Sequence, residues 1–268
     1  MKDKVVIITG ASSGIGYALA KHLAQKGAIL SLAARNIDEL NKLAKELVLQ
    51  GSRVIAVKTD VSVPSDCLHL VRTTIRTFGK IDVLINNAGV SMRALFKDVD
   101  LEVLKKLMDV NFWGAVYCTK FAFPYLAAAK GSIAGISSVA GYVGLPGRSG
   151  YSASKFALNG FFETLRTETL KTGIHVLVAA PGFTSSNIRK SALTANGTPQ
   201  GETPRLEEKM MSAEKVANHI VKAIEKRKKK IILTFYEGKL TVFVNKWFPS
   251  LVRKIAFNKL AKEPNSPF

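Results

Sequence analysis

The chain has 268 residues, 47% of them hydrophobic, and it holds 39 Lys and Arg against 20 Asp and Glu, a net charge of +19. This length and apolar content suit one large globular domain and exclude disorder as a description of the whole chain. No apolar run reaches the ~18 residues that a membrane-spanning helix needs. The first apolar run is also too short for a signal peptide, so we expect neither kind of segment.

Predicted strands and helices alternate along the chain. Short apolar runs predict strands, and apolar residues spaced three and four apart predict the helices between them. The predicted strands are 5–9, 29–33, 53–57, 81–85, 131–137, 174–180 and 231–235, and the predicted helices are 18–26, 37–47, 64–78, 99–129, 149–172 and 213–226. This alternation predicts the α/β class, with a doubly wound parallel seven-stranded sheet. The polar segment 191–208 is expected to be a flexible loop.

A glycine-rich turn follows the first strand. Residues 9–16 read Thr-Gly-Ala-Ser-Ser-Gly-Ile-Gly, with Gly10, Gly14 and Gly16 between a strand and a helix. Glycines allow a tight turn, and free N–H groups at a helix N-terminus attract a pyrophosphate. The spacing is one residue longer than in the common dinucleotide-binding pattern. Taken alone, the turn is either a phosphate site or a plain connection from strand to helix.

Tyr151 and Lys155 are four residues apart in a predicted helix, so they project from one face. A neighbouring positive charge favours the phenolate form of tyrosine and brings its pKa towards the working pH of a general acid or base. A solvent-exposed Tyr and Lys would show the same spacing, and the pair alone does not separate the two interpretations.

Taken together, the motifs resemble the short-chain dehydrogenase/reductase family over about residues 3–235. The resemblance rests on the glycine turn and on Asp60-Val61, the Asn-Asn-Ala-Gly of 86–89, Asn111, Ser137-Ser138, the Tyr-Ser-Ala-Ser-Lys of 151–155 and Pro181-Gly182, in the family's order. It implies a Rossmann fold and hydride transfer between a nicotinamide cofactor and a carbonyl or alcohol.

The resemblance also implies four catalytic roles. Tyr151 is expected to give a proton to the substrate carbonyl, and Lys155 to lower the pKa of Tyr151 and bind the nicotinamide ribose. Ser138 is expected to hold the carbonyl oxygen. Asn111 is expected to hold a water in a proton relay behind Lys155, and asparagine is a poor choice inside a helix otherwise.

The end of the second strand bears on the choice of cofactor. Ala34 stands where a carboxylate would bind the ribose of NAD, and Arg35 follows it, which favours NADP(H) because a guanidinium can bind a 2′-phosphate. An arginine in solvent at a helix start is the alternative. The expected cofactor-binding residues are Gly10, Ser12, Ser13, Gly14, Ile15, Gly16, Arg35, Asp60, Val61, Asn87, Ala88, Gly89, Tyr151, Lys155, Pro181, Gly182, Thr184 and Ser186.

The expected substrate loop is 183–211, within a catalytic domain of residues 1–235. Its apolar residues suggest a hydrophobic or lipid-like ketone or alcohol, and its basic pair could meet a phosphate or carboxylate. These residues are Ile188, Leu193, Met210 and Met211, with Arg189 and Lys190 as the basic pair. A loop whose composition carries no meaning is the alternative.

Residues 236–268 form a basic amphipathic C-terminal extension that the minimal family fold lacks. Residues 221–268 contain twelve basic and three acidic side chains, and aromatic residues lie between the basic ones of 236–262. Such a segment suits an anionic membrane surface, and the chain here loosely resembles the family's membrane-associated steroid and lipid-ketone reductases. Packing on its own domain or on a partner subunit is the alternative. Pro249 is expected to break or kink a helix in this segment.

The sequence therefore predicts an NADP(H)-dependent oxidoreductase, with a catalytically silent NADP(H)-binding protein and a basic nucleic-acid-binding protein as alternatives. No recognition helix or base-stacking platform is evident, so no nucleic acid is expected. The resemblance implies a homo-oligomer, a dimer or tetramer, formed through helices 99–129 and 149–172. Two cysteines, Cys67 and Cys118, and four scattered histidines predict neither disulfides nor a metal site. We expect a cytoplasmic protein, with a peripheral membrane position as the variant that the extension suggests.

Overall fold

The computed structural model describes residues 1–185, 188–201, 210–263 and 266–267. Its strands are, in chain order, β1 (Val5–Thr9), β2 (Ile29–Ala34), β3 (Val54–Lys58), β4 (Val83–Asn86), β5 (Ser132–Ile136), β6 (His175–Ala180), β7 (Thr184–Ser185), β8 (Met211–Ser212) and β9 (Lys230–Ile232). Seven of them form one parallel sheet in the order β3-β2-β1-β4-β5-β6-β9, while β7 and β8 pair with each other.

The helices are α1 (Gly14–Gln25), α2 (Ile37–Leu49), α3 (Pro64–Phe78), α4 (Leu101–Met108), α5 (Gly114–Ala128), α6 (Ser149–Glu168), α7 (Ala213–Glu225), α8 (Thr241–Trp247) and α9 (Pro249–Ala261). One apolar core joins the sheet to α1, α2 and α7, and a second joins it to α3, α5 and α6. Helices thus cover both faces, which confirms the predicted doubly wound fold. All residues of β1, β2 and β6 are buried, because such a sheet is covered on both sides.

The order of strands reverses between β1 and β4, so the connections that leave these two strands turn to opposite faces of the sheet. Ligands of open α/β sheets bind outside the carboxyl ends of the strands at such a point. The glycine turn follows β1 and residues 87–91 follow β4, so the topology alone brings these two segments to one crevice.

Three differences from the predicted elements bear on the site. The predicted helix 99–129 is divided by a π-helical turn at Asp109–Trp113. The last strand ends at Ile232 rather than residue 235, since Thr234 adopts a left-handed conformation (φ 67°) and a π-helical turn, Phe235–Leu240, follows. In the predicted loop, residues 202–208 lie outside the described part of the chain, but Leu193 forms β-bridges with Met92 and Pro199.

Aromatic side chains stand on the outer side of the α5–α6 region. Trp113, Tyr125 and Phe156 are exposed there, and the Trp113 ring stacks on Tyr117 with 5.8 Å between their centroids. The homo-oligomer expected through these helices stays a prediction.

A close contact between β5 and α6 yields a stability prediction. Gly135 in β5 lies under the ring of Phe162, which is fully buried, and a β-carbon at Gly135 would overlap that ring. We expect Gly135→Ala to lower the free energy of unfolding by about 1–3 kcal/mol, the usual cost of overpacking a core. Urea-induced unfolding followed by circular dichroism measures it.

Gly160→Ala is the matched control, because Gly160 lies in α6 and a methyl group added there would have no atom within 4 Å. It should leave stability unchanged or raise it by up to ~1 kcal/mol, as alanine is the better helix former. Equal unfolding midpoints for the two variants would contradict the close packing of Phe162 on Gly135.

Candidate active site

The glycine turn presents an open helix N-terminus to the crevice. Gly10 (φ 65°) and Gly14 (φ 54°) take left-handed conformations that other residues adopt at a cost, and α1 starts directly at Gly14. Ser13 precedes the helix without capping it by a side-chain hydrogen bond, and its first turn contains no acidic residue. The free N–H groups and the dipole of α1 therefore remain available to an anion.

The turn after β4 holds the glycine turn in place. The Asn87 side-chain amide donates to the carbonyl oxygens of Thr9 (2.8 Å) and Gly10 (3.1 Å). The Thr9 hydroxyl accepts from the backbone N–H groups of Asn87 and Ala88, both at 3.0 Å. A β-carbon at Gly16 would overlap the Gly10 carbonyl oxygen, so Gly16 acts beneath the turn and allows it to close.

One cavity of about 980 Å³ extends from the glycine turn across the carboxyl ends of the strands. Sixteen of the eighteen expected cofactor-binding residues line it, namely Gly10, Ser12, Ser13, Gly14, Ile15, Arg35, Asp60, Val61, Asn87, Ala88, Gly89, Tyr151, Lys155, Pro181, Gly182 and Thr184. Gly16 supports the turn from below, and Ser186 lies outside the described residues. The volume and lining suit a dinucleotide together with a second molecule.

At the end of β2 the cavity wall is basic. Ala34 is buried, and Arg35 is exposed and lines the cavity beside Ser12 and Ser13. Asn36 is occupied at the start of α2, where its side chain accepts from the Glu39 N–H at 3.2 Å. A phosphate at this corner would therefore meet a guanidinium and two hydroxyls.

Asp60 and Val61 form the wall at the end of β3. The Asp60 carboxylate accepts from the N–H (3.0 Å) and the hydroxyl (2.6 Å) of Ser62, so it is held by its own loop. Val61 packs so closely on Gly114 that a β-carbon there would lie 2.7 Å from its methyl group. The wall is thus fixed from behind by α5.

Asn111 lies in the π-helical turn and is 1% exposed. Its side-chain oxygen accepts from the Val90 N–H (2.8 Å), and its amide donates to the Val90 carbonyl (2.9 Å) and the Ser154 hydroxyl (2.9 Å). In the described structure these bonds make Asn111 a connection between the β4 loop and α6, and Val110 lines the cavity in its place. The water-holding role implied by the resemblance stays a prediction.

Ser138 and Tyr151 meet at the mouth of the cavity. Ser138 follows β5, and its hydroxyl accepts from the Ala140 N–H at 3.2 Å. Tyr151 in α6 is 9% exposed, and burial raises the pKa of its phenol. The hydrogen bond with Ser138 and the charge of Arg148 both act to lower that pKa.

Lys155 is buried on the same face of α6, one turn further along. Its ammonium donates to the Ile136 carbonyl at 2.8 Å and lies 5.8 Å from the centre of the Tyr151 ring. Burial lowers the pKa of Lys155 to about 8. The expected pair therefore shares a buried site at the cavity, rather than standing in solvent.

The expected substrate loop contributes part of the cavity. Phe183, Ile188 and Leu193 line it, and so does Arg189, whose guanidinium donates to the Thr184 carbonyl at 2.9 Å. Three expected substrate-side residues do not line it within the described part of the chain. Lys190 is exposed, Met210 does not line the cavity, and Met211 belongs to β8 and packs on the core of α1, α2 and α7.

The C-terminal extension packs on its own domain, as one of the two interpretations of its sequence held, and it also lines the cavity, which the sequence did not predict. Apolar residues of the second π-helical turn (Phe235–Leu240), α8 and α9 line the cavity, namely Leu240, Val244, Val252, Ile255 and Leu260. An ion pair of two largely buried side chains, Arg93 and Glu263 (3.5 Å), joins the end of the extension to the loop after β4. The spacing of the first four of these residues, by four, eight and three, was the available signal, and Pro249 begins α9 at the predicted break. Arg148 and Ser91 were also missed as lining residues.

The fold and the site define a dinucleotide-binding α/β protein whose phosphate-binding turn, buried tyrosine and buried lysine share one crevice. The family model described as short chain dehydrogenase matches residues 4–197. The chain therefore belongs to the short-chain dehydrogenase/reductase family, and oxidoreductase activity follows from that membership.

Curated relatives agree with this assignment. Dehydrogenase/reductase SDR family member 7B of Mus musculus is 35% identical over 271 residues, which cover 99% of this chain and 84% of the relative. 11-beta-hydroxysteroid dehydrogenase 1A of Arabidopsis thaliana is 45% identical over 190 residues, 69% of this chain and 53% of the relative.

Two solved structures share the fold. A short-chain dehydrogenase/reductase from Burkholderia phymatum in complex with NAD superposes with a TM-score of 0.83 at 26% identity, over 94% of this chain and 96% of that one. An alcohol dehydrogenase from Thermococcus sibiricus complexed with 5-hydroxy-NADP gives a TM-score of 0.75 at 26% identity, over 87% and 96%. The fold therefore accommodates a nicotinamide cofactor.

Neither a metal cluster nor a membrane span is present among the described residues. No group of three or more His, Cys, Asp or Glu side chains there could hold a metal ion. Within the same residues, no helix has both the length and the apolar character that crossing a membrane requires.

Proposed function

We propose that the protein transfers a hydride between NADP(H) and the carbonyl or alcohol group of a hydrophobic, lipid-like substrate, with Tyr151 as general acid and base. The observation that carries the proposal is the meeting of Tyr151, Ser138 and Lys155 in one cavity beside the open N-terminus of α1. When bound, the nicotinamide supplies or takes up the hydride. Two features suit the pyrophosphate of the cofactor. The glycine turn is so tight that a β-carbon at Gly16 would not fit, and the N-terminus of α1 has no side-chain cap.

The side chains divide the proton chemistry among them. In the reducing direction the Tyr151 hydroxyl donates its proton to the substrate oxygen, and the Ser138 hydroxyl donates a hydrogen bond to the same oxygen. The ammonium of Lys155 stabilises the phenolate left behind, since an adjacent positive charge favours the ionised phenol. Burial opposes that ionisation, so Tyr151 depends on its neighbours.

The first test removes the proposed acid. Tyr151→Phe deletes the hydroxyl and should lower kcat by about 10²–10⁴-fold, the usual contribution of general acid–base catalysis, while NADPH binding persists. NADPH oxidation is measured against steroid, fatty-acyl, sugar and phospholipid-precursor ketones, and NADPH binding by fluorescence titration.

Tyr142→Phe is its matched control, because Tyr142 is a half-buried tyrosine that does not line the cavity. It should keep the activity of the unmodified chain. Activity in Tyr151→Phe comparable to that of the control would disprove the assigned role.

The preference for NADP(H) rests on the corner beside β2. Arg35 lines the cavity, Ala34 offers no carboxylate, and Ser12 and Ser13 add hydroxyl donors. A guanidinium binds phosphate through two parallel hydrogen bonds, whereas a ribose 2′-hydroxyl would require an acceptor here.

Arg35→Asp should lower the ratio of kcat/KM for NADPH to that for NADH by about 10–100-fold, as one charge-assisted interaction is lost and a repulsive carboxylate is added. Lys45→Asp makes the same change of charge on an exposed residue of α2 outside the cavity. A ratio that stays constant in Arg35→Asp, or that falls as far in Lys45→Asp, would remove the 2′-phosphate argument.

The hydrophobic substrate class is supported by the far half of the cavity. Aliphatic residues line it from two segments, Val143 and Leu145 before α6 and Leu240 and Val244 from the C-terminal extension. Burying apolar surface gives about 25 cal/mol per Å², so this half favours a ketone that carries a sizeable apolar body.

We also propose that the outer side of the C-terminal extension binds an anionic membrane surface. Phe243, Trp247, Phe248 and Leu251 are 65%, 63%, 64% and 52% exposed. Basic residues lie beside them, namely Lys246, Arg253 and Lys254. Aromatic rings among lysines and arginines suit the interface of a bilayer that contains anionic lipid.

Flotation with vesicles tests this surface. The chain should float with vesicles containing phosphatidylserine at low salt and much less with phosphatidylcholine alone, because each basic residue adds ~1 kcal/mol only near an anionic surface. Replacing Phe243 and Trp247 by Ser should abolish flotation. Phe96→Ser, which changes another exposed aromatic residue (71%), should not. A chain that stays in the soluble fraction at low salt refutes the proposal.

A further inference from the structure

Arg148 is a charged side chain of the cavity to which the proposed mechanism gives no role. It immediately precedes α6 and lines the cavity together with Ser91 and Tyr151. Its Nη1 donates to the Ser91 hydroxyl at 2.7 Å and to the Met92 carbonyl at 3.1 Å. Ser91 and Met92 are both buried, so the guanidinium is tied to the interior of the molecule.

Arg148 lies close to Tyr151 in the chain and shares its surroundings. It is the residue that precedes α6, and Tyr151 lies three positions on, in the first turn of that helix. The Tyr151 ring also packs in the same small core as Met92, whose carbonyl oxygen holds Arg148. The charge of Arg148 acts on the phenol through this arrangement and lowers its pKa against the effect of burial.

Lys155 alone does not give the phenol a constant charge. Its pKa is about 8 because it is buried, so the ammonium loses its proton as pH rises through that value. A guanidinium stays charged throughout the range in which proteins are folded. The two cations near Tyr151 therefore differ in kind: the charge of one titrates and that of the other does not.

We propose that Arg148 is a positioning residue that keeps a permanent positive charge beside the Tyr151 hydroxyl and ties the start of α6 to residues 91–92. The inference rests on the proposed function. When a carbonyl is reduced, the O–H bond of Tyr151 breaks and a new O–H bond forms on the substrate oxygen. The electron pair stays on the phenolate oxygen, where the charge of Arg148 stabilises it. Oxidation runs through the same steps in reverse.

Other charged groups around the cavity do not replace Arg148. Lys106 lies on α4, Arg189 follows β7, and Glu237 is paired with Lys259 at 2.8 Å in the C-terminal extension. Apart from Lys155, Arg148 is the described charged group that acts to lower the pKa of the Tyr151 phenol. Arg35 and Asp60 lie at the ends of β2 and β3, on the dinucleotide side of the cavity.

The experiment is an NMR titration of the full-length chain labelled at the tyrosine ring carbon that bears the hydroxyl, with Tyr151→Phe to assign the signal. In Arg148→Gln the pKa of Tyr151 should rise by on the order of one unit, since an opposite charge nearby is removed. Arg148→Lys should recover most of the shift because it keeps the charge. Ser91→Ala keeps the charge and removes one hydrogen bond, so its titration should match the unmodified chain.

Two results would overturn the proposal. One is a titration of Arg148→Gln equal to that of the unmodified chain, which would leave Arg148 without electrostatic effect. The other is a shift in Ser91→Ala as large as that in Arg148→Gln, which would assign the effect to the hydrogen bonds. Arg148→Met replaces the Gln variant if the latter does not fold. The titration needs no turnover, so its outcome is separate from the loss of activity that tests Tyr151 as the acid.

Discussion

The packing of α6 against β5 and β6 is the constraint on which the site depends. Phe162 reaches the sheet only because Gly135 has no side chain. About two turns earlier in the helix, Lys155 donates to the carbonyl that ends β5, and Ser154 accepts from Asn111. These contacts set the depth and the rotation of α6, and with them the place of Tyr151 relative to the glycine turn.

Burial of Tyr151 and Lys155 at this contact disfavours the charged form of each side chain, and the proposed proton transfer depends on the groups that offset this cost. A phenol and an ammonium removed from water both favour their neutral forms, so the pKa of Tyr151 rises and that of Lys155 falls. In the proposed mechanism Tyr151 alternates between phenol and phenolate and needs fixed partners, which are the hydroxyl of Ser138 and the cations Lys155 and Arg148. The low dielectric that makes ionisation costly also makes each of these partners more effective.

The C-terminal extension joins the interior of the site to the surface of the molecule. Its helices turn Val244 and Val252 into the cavity and leave Phe243 and Trp247 in solvent. A short amphipathic helix can serve two apolar environments in this way, because residues one position apart point in different directions. The wall of the cavity and the exposed aromatic surface are thus two faces of the same few turns.

The order of strands and helices, the glycine turn and the residues that line the dinucleotide side of the cavity were predictable from the sequence, because these features are local. The spacing of apolar residues indicates the strand and the helix, and the glycines indicate the turn between them. Tyr151 and Lys155 also share a helix, so their spacing already placed them on one face.

Only the tertiary structure decided the features made by residues distant in the chain. It showed that Asn111 is bonded to Val90 and Ser154, that Met211 packs in the core instead of the cavity, and that residues beyond 235 line the cavity. It also placed Arg148 on Ser91, more than fifty positions away in sequence. Sequence periodicity shows which face of a helix is apolar. The packing of the elements decides what covers that face and which charged side chain lies near a buried phenol.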